Sequence, residues 1–443
     1  MEKYQRLFTK TLQSRLNESV SKIILLAGPR QVGKTTGVNQ ILERRKPESK
    51  KFYAADNPVM SHETSTQHLI ASFQTASSIL KSNAPAKTKE WLVEIWKHGR
   101  NAATLWYQSH SISLDQALNS YPYVLVIDEI HVIKDWSSIV KGLWDEDRRN
   151  QLQMHVVILG SSPLLMQKGL TESLAGRFET IAVTHWSFDE MHTAFGFTLN
   201  EYIYFGGYPG PAQNRLICDY SRWISYMKNA LIDPNIQKDV LAMARVEKPA
   251  LLKQLFTLAC SYSGQMVGFD KLKGQLNEAG NTTTLTHYLN LLEQAGLIAG
   301  LSKYSPHMIR QRAAPPKLNV LNTAFQSLES QLDFEQAQAD HSFWGRLVES
   351  AIGAHLINTA PANLKIAYWR ESPYEVDFVL HSSVKVCAVE VKSNKKINSH
   401  KGLSQFKARF QTAKTIIAGG SNDALEQAMR CPAAQWLDGE PFQ

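Results

Sequence analysis

The chain has 443 residues, 43% of them hydrophobic and 20% charged, with a formal net charge of +8. That length suggests two to four domains with enough apolar material for packed cores. No apolar run approaches the roughly 18 residues that cross a bilayer, and the opening MEKYQRLFTKTLQSRL has no continuous apolar h-region, so neither membrane insertion nor secretion is expected and a cytoplasmic location is. Cys218, Cys260, Cys387 and Cys431 lie at least 42 residues apart with no C-x-x-C pair, which argues against a disulfide framework or a zinc site.

The first strong signal is KIILLAGPRQVGKTT, an apolar strand over 23–27 followed by G-x-x-x-x-G-K-T and a helix-like stretch. Gly28 and Gly33 allow tight, left-handed backbone, and the amides of Gly28, Pro29–Gly33, Lys34, Thr35 and Thr36, proline excepted, can face phosphates at a helix N-terminus. The loop positions are therefore Gly28, Pro29, Arg30, Gln31, Val32, Gly33, Lys34, Thr35 and Thr36, with Lys34 reaching the β and γ phosphates of ATP and Thr35 ligating Mg2+. KFYAADNP reads as a second strand. The next 60 or so residues carry Trp91, Trp96 and Trp106 at a spacing that suits packing more than ligand contact.

YPYVLVIDEIH supplies the matching half: a buried parallel strand over 124–127 that ends in Asp128 and Glu129. Asp128 is expected to hold hydrated Mg2+ and Glu129 to polarise the attacking water, because phosphoryl transfer depends on positioning and charge neutralisation. HVVILG is a third strand, with Ser161 after it where a γ-phosphate sensor would sit. Arg177, just before the strand in GRFETIAV, is a candidate finger for a neighbouring subunit. A local bridge to Glu172 or Glu179 is its alternative role, and Arg148 and Arg149 are rivals.

YFGGYPGP marks a boundary, after which the pattern is helical to about residue 245. Residues 247–312 read as helix, turn, helix from about Asp270, an Asn281 cap, a helix over 282–294 and a two-stranded wing. Thr283, Thr284, His287 and Asn290 are left free to meet a partner. Seven basic against three acidic residues from 248 to 312 suit a DNA-reading helix-turn-helix, although such modules also serve as packing units.

From His341 an amphipathic helix places Glu349 inward, and the strands after it carry Glu375 and Asp377, then Glu390 and Lys392. Alternation in a strand puts residues n and n+2 on one face, so each of these pairs points one way. Converging carboxylates at Glu349, Asp377 and Glu390 could bind Mg2+, with Lys392 orienting or deprotonating the attacking water. Residues 313–443 hold 13 basic and 13 acidic residues, so the excess positive charge lies upstream. Even so, Lys392, Lys395, Lys396, Lys401, Lys407, Arg409 and Lys414 follow one another with no acid between them, which is either a polyanion contact or a solvated basic face.

Taken together, the Gly28–Thr35 loop, IDEIH, LGSSPLL, ESLAGRF, GGYP and EVDFVL…VEVKS resemble the prokaryotic AAA-type ATPases that carry a C-terminal domain of unknown function, DUF4143, similar to PD-(D/E)XK nucleases. Val376, where those nucleases have proline, departs from the pattern. The resemblance implies an α/β fold with an AAA+ P-loop ATPase core over 1–200, a helical lid over 201–246, a winged helix over 247–312 and a restriction-endonuclease-like domain over 313–443. It also implies a homo-oligomer, such as a hexamer, acting on DNA with ATP and Mg2+. The leading expectation is ATP-driven DNA remodelling or processing; a nucleotide-controlled signalling or defence switch and a protein-remodelling ATPase are the alternatives.

Overall fold

The computed structural model describes residues 4–55, 88–109, 122–160, 174–213, 216–234, 236, 240, 246–276, 281–305, 314–393 and 400–438. Ser161, and Lys395 and Lys396 of the basic run, lie outside these. The chain divides into two compact units, one comprising Gln5–Gly28 and Gly33–Val183, the other Met1–Tyr4, Pro29–Val32 and Thr184–Gln443.

In the first unit, β1 (Ile23–Ala27), β2 (Lys50–Ala54), β3 (Tyr123–Asp128), β4 (Met154–Gly160) and β5 (Phe178–Ala182) form a parallel sheet in the order β2-β3-β4-β1-β5. Its central strands are continuous apolar runs because helices cover both faces of a parallel sheet. Every residue of β3 and of β4 is buried. Helix α1 (Leu7–Leu16) precedes β1, α2 (Lys34–Glu43) follows it, α3 (Lys89–Ser109) precedes β3 and α4 (Trp136–Arg149) follows β3.

The tryptophans of α3 serve packing. Trp96 and Trp106 are buried in the core and Trp91 packs against it. Trp96 Nε1 donates to Asp147 Oδ2 at 2.8 Å and Arg100 Nε to Asp147 Oδ1 at 2.5 Å, so the buried carboxylate of α4 has both oxygens satisfied. That pairing is what makes a buried acid tolerable.

The second unit begins with two helices, α5 (Phe188–Phe195) and α6 (Leu199–Phe205), each opened by a capping box. In those boxes Ser187 and Thr198 accept from, and are bonded back by, Glu190 and Glu201. Helix α7 (Tyr220–Tyr226) runs into π-helical turns over Met227–Ile232. Three helices follow, α8 (Pro249–Ser261), α9 (Phe269–Lys273) and α10 (Thr282–Gln294), and then β6 (Ile298–Leu301). The strand that pairs antiparallel with β6 is β7 (Lys317–Val320), beyond the boundary expected at residue 312. The two-stranded element is therefore shared across that boundary, with β7 supplying the buried partner of β6.

Helix α11 (His341–Thr359) lies against β7 and against β10. The last sheet runs β11-β10-β9-β8, with β8 (Lys365–Glu371), β9 (Tyr374–His381), β10 (Val386–Lys392) and β11 (Lys414–Gly419). Its β10–β11 pairing is parallel and the other two are antiparallel. Helices α12 (Lys401–Arg409), α13 (Asn422–Arg430) and the short Ala433–Leu437 belong to the same part. Among the described residues, no helix is long and apolar enough to cross a membrane.

Candidate nucleotide site and carboxylate cluster

The loop after β1 is shaped by its glycines. A Cβ on Gly28 would lie 1.9 Å from the Val183 carbonyl oxygen, so only glycine lets the strand end pass this close to backbone. Gly33 has φ 88°, left-handed, and starts α2 with no side chain capping the first turn. Helix-terminal amides and dipole at that point favour an anion. Lys34 is only 6% exposed and its Nζ donates to the Gly28 carbonyl at 2.8 Å, which folds the ammonium back into the loop. Thr36 is exposed, Pro29 and Val32 are buried, and Arg30 is half-buried. In the second unit, Gln31 Nε2 donates to Ala230 O at 3.1 Å and Tyr226 Oη donates to Gln31 Oε1 at 2.6 Å.

At the end of β3, Asp128 Oδ2 accepts from Thr35 Oγ1 at 2.7 Å, while Oδ1 accepts from the Glu129 amide at 2.9 Å. Burial pushes the Asp128 carboxyl up to about 6, the Thr35 hydrogen bond pulls against that, and the Glu129 charge adds to it. A divalent cation would relieve this cost, since a bound ion is the largest local charge and reverses such shifts. Glu129 takes a left-handed φ of 53°, uncommon without glycine, and its Oε2 stands 3.2 Å from His131 Nδ1. These residues fit a nucleotide and Mg2+: the glycine cradle and Lys34 for phosphate, Thr35 and Asp128 for the metal, Glu129 to orient and polarise water. When bound, Mg2+ neutralises charge on the phosphates.

Arg177 is committed locally, with Nε 2.7 Å from Asp145 Oδ1 and Nη2 3.0 Å from Asp145 Oδ2. The bridge is therefore to α4 rather than to Glu179, Glu172 lies outside the described residues, and offering Arg177 to a neighbour requires opening a bidentate pair. Arg148 donates to the carbonyls of Val20 and Leu152 and stacks over the Trp144 ring, which makes it part of the packing.

In the second unit the expected carboxylates do gather. The charge of Asp377 acts on both Glu349 and Glu390, and Glu375 acts on the same two. Lys392 Nζ donates to Glu390 Oε1 at 2.7 Å, as the shared strand face requires. The principal contact is with a residue the sequence did not single out. Lys317, 3% exposed on β7, places its Nζ 2.5 Å from Glu349 Oε1, 3.8 Å from Asp377 Oδ1 and 4.5 Å from the Phe378 ring centroid, and donates to Asp377 O at 3.0 Å.

Burial works against the Lys317 charge, but Glu349 and Asp377 outweigh it and hold the ammonium above its usual pKa. Burial likewise pushes the Glu349 carboxyl up to about 7, against the pull of Lys317. Asp377 Oδ2 is occupied by the Val391 amide at 2.8 Å. Where metal ligation by Glu349, Asp377 and Glu390 was expected, the Lys317 ammonium stands against Glu349 and Asp377, Lys392 pairs with Glu390, and among the described residues no group of three or more His, Cys, Asp or Glu is placed to hold a metal ion. These residues do not fit a divalent metal.

The basic run near the C-terminus is largely spent on local partners. Lys407 donates to Ala413 O, Lys414 to Asp438 O, and Arg409 pairs with Glu371 at 2.9 Å.

Residues 20–192 match the family described as AAA domain, 196–333 a domain of unknown function, DUF8612, and 344–435 a domain of unknown function, DUF4143. Two mycobacterial proteins described as uncharacterized, Rv2008c of Mycobacterium tuberculosis and Mb2031c of Mycobacterium bovis, are each 21% identical over 401 residues, covering 89% of this chain and 76% of theirs. Among solved structures, the Walker-type ATPase PABY2304 of Pyrococcus abyssi is 14% identical, with a TM-score of 0.45 over 74% of this chain and 98% of that one. Glycine cradle, buried lysine and the Thr35–Asp128 pair thus fall inside the matched AAA segment, and the carboxylates inside the DUF4143 segment. The chain carries a segment matching the AAA domain family, followed by a C-terminal segment matching DUF4143.

Proposed function

We propose that this protein couples ATP hydrolysis to DNA, with Lys34, Thr35, Asp128 and Glu129 acting on Mg2+–ATP and the α10 helix reading a duplex. One observation carries the DNA part: α10 is amphipathic with an exposed, uncharged polar face. Leu285, Tyr288, Leu289, Leu291 and Leu292 are buried, while Thr282, Thr283, Thr286, His287 and Asn290 are exposed. Thr284, half-buried, is engaged with the Asn281 cap instead, its hydroxyl 2.9 Å from Asn281 Oδ1.

Asn and His amide and ring groups suit base edges, and the exposed Lys271 and Lys273 on α9 suit phosphates. No acid stands on the helix before Glu293, so nothing there repels a polyanion. A helix preceded by the lysine-bearing α9 and followed by a two-stranded element supports a winged-helix reading of 247–312.

The test is duplex binding by fluorescence anisotropy at fixed salt. His287→Ala with Asn290→Ala is expected to weaken binding by about tenfold or more, the range for one or two lost base contacts. Duplex affinity left unchanged by that double variant, or absent in the parent protein, rejects the DNA assignment.

A further inference from the structure

We infer that Lys317 is the resident cation of the Glu349–Asp377 pocket, and that the DUF4143 domain is consequently a non-cleaving domain whose carboxylates are neutralised from within. The inference concerns a different site from the ATPase reading and does not depend on it.

Three observations converge. First, the ammonium stands where a cation bridging Glu349 and Asp377 would stand: 2.5 Å from Glu349 Oε1 and 3.8 Å from Asp377 Oδ1, with the Asp377 carbonyl at 3.0 Å. Magnesium needs near-octahedral oxygen ligation at about 2.0–2.1 Å. It cannot share that position with Nζ. Second, the lysine has no easy way out. It is 3% exposed, sits over the Phe378 ring, and lies on a strand paired to Leu301 on one side and bridged to Met266 on the other. Third, part of the remaining ligand capacity is already used. Asp377 Oδ2 accepts from the Val391 amide and Glu390 Oε1 from Lys392.

Lys317 also comes from outside the DUF4143 match. It lies in the segment matching DUF8612, which ends at residue 333, whereas Glu349 and Asp377 lie in the segment that starts at 344. The counter-ion is therefore delivered by the preceding part of the chain.

The physical consequence is a gain of function on removal. Without the ammonium, two partly buried carboxylates face one another uncompensated, and a divalent cation becomes the favourable neutraliser. The experiment measures Mn2+ binding by electron paramagnetic resonance and calorimetry without nucleotide, on the full chain carrying Lys34→Ala and Asp128→Asn to remove the other metal site. With Lys317 present, no Mn2+ is expected to bind with a dependence on Glu349 or Asp377. With Lys317→Met added, affinity rises by at least about tenfold, and Glu349→Gln abolishes the gain.

If Lys317→Met does not fold, Asp377→Asn in the Lys317-containing protein decides instead. Mn2+ binding left unchanged by Asp377→Asn supports the inference. Binding in the Lys317-containing protein that Asp377→Asn or Glu349→Gln removes would overturn it, as would Mn2+-dependent DNA cleavage lost in Asp377→Asn.

Discussion

Single residues carry most of what this chain can do, and their protonation follows from burial. His355 is 3% exposed and its Nε2 donates to Cys431 O at 2.7 Å, which selects the Nε2–H tautomer of the neutral ring. Burial depresses its pKa to about 4, with the backbone bond opposing. The unfolded chain, at about 6.5, takes up the proton first, so this contribution is whole above 6.5 and is lost as pH falls towards 4. Between pH 7 and pH 5 the loss amounts to about 2 kcal/mol. His355→Gln keeps a donor but cannot titrate. Denaturant unfolding at those two pH values is expected to show a smaller drop for the variant than for the parent, and an equal drop would mean that His355 does not stay neutral.

At the scale of elements, the strand–loop–helix of β1 and α2 is the part most dictated by local chemistry. The apolar run over Ile23–Ala27, the left-handed Gly33 and the helix start at Lys34 all stand where the pattern put them. Gly28 adds a constraint that only coordinates reveal, the 1.9 Å approach to Val183 O. Gly28→Ala therefore forces strand and carbonyl apart and displaces the acceptor of the Lys34 ammonium. We expect a stability loss of about 1–3 kcal/mol together with a weakened ATP affinity. Thermal unfolding and equilibrium binding of a fluorescent ATP analogue check this; unchanged values for both would mean the loop relaxes freely.

The same scale explains what the sequence hid. Most strands of the two larger sheets were legible because apolar runs and alternation are local signals, as were the Asn281 cap and the His341 start of α11, whereas the strand over Lys414–Gly419 was not singled out. Lys317 was not, because its role depends on β7 pairing with β6 and on α11 crossing β7, contacts set by residues far away in sequence. It directly follows Pro315-Pro316 and reads as a solvated loop lysine. Asp145 as the partner of Arg177 was missed for the same reason: 32 positions separate them.

For the whole molecule, net charge was a poor guide to surface. The +8 excess and the C-terminal basic run suggested a polyanion face, yet Lys407, Arg409 and Lys414 are each tied to a neighbour. What remains for nucleic acid is the polar face of α10 with Lys271 and Lys273, a more specific surface than charge alone would select. The nucleotide half and the DUF4143 half also differ in kind. In the first, burial pushes the Asp128 carboxyl up and the Thr35 hydrogen bond and Lys34 charge oppose it only in part; in the second, an ammonium stands directly against Glu349.

Turnover of ATP in the parent protein and in Glu129→Gln, measured as phosphate release beside equilibrium ATP binding, tests the central claim most directly. Glu129→Gln keeps the shape of the site and removes the charge that polarises water. We predict ATP affinity within about threefold of the parent and a hydrolysis rate reduced by about a hundredfold or more, the usual range for a lost general base. Hydrolysis persisting at the parent rate in Glu129→Gln, with ATP still bound, would contradict the account.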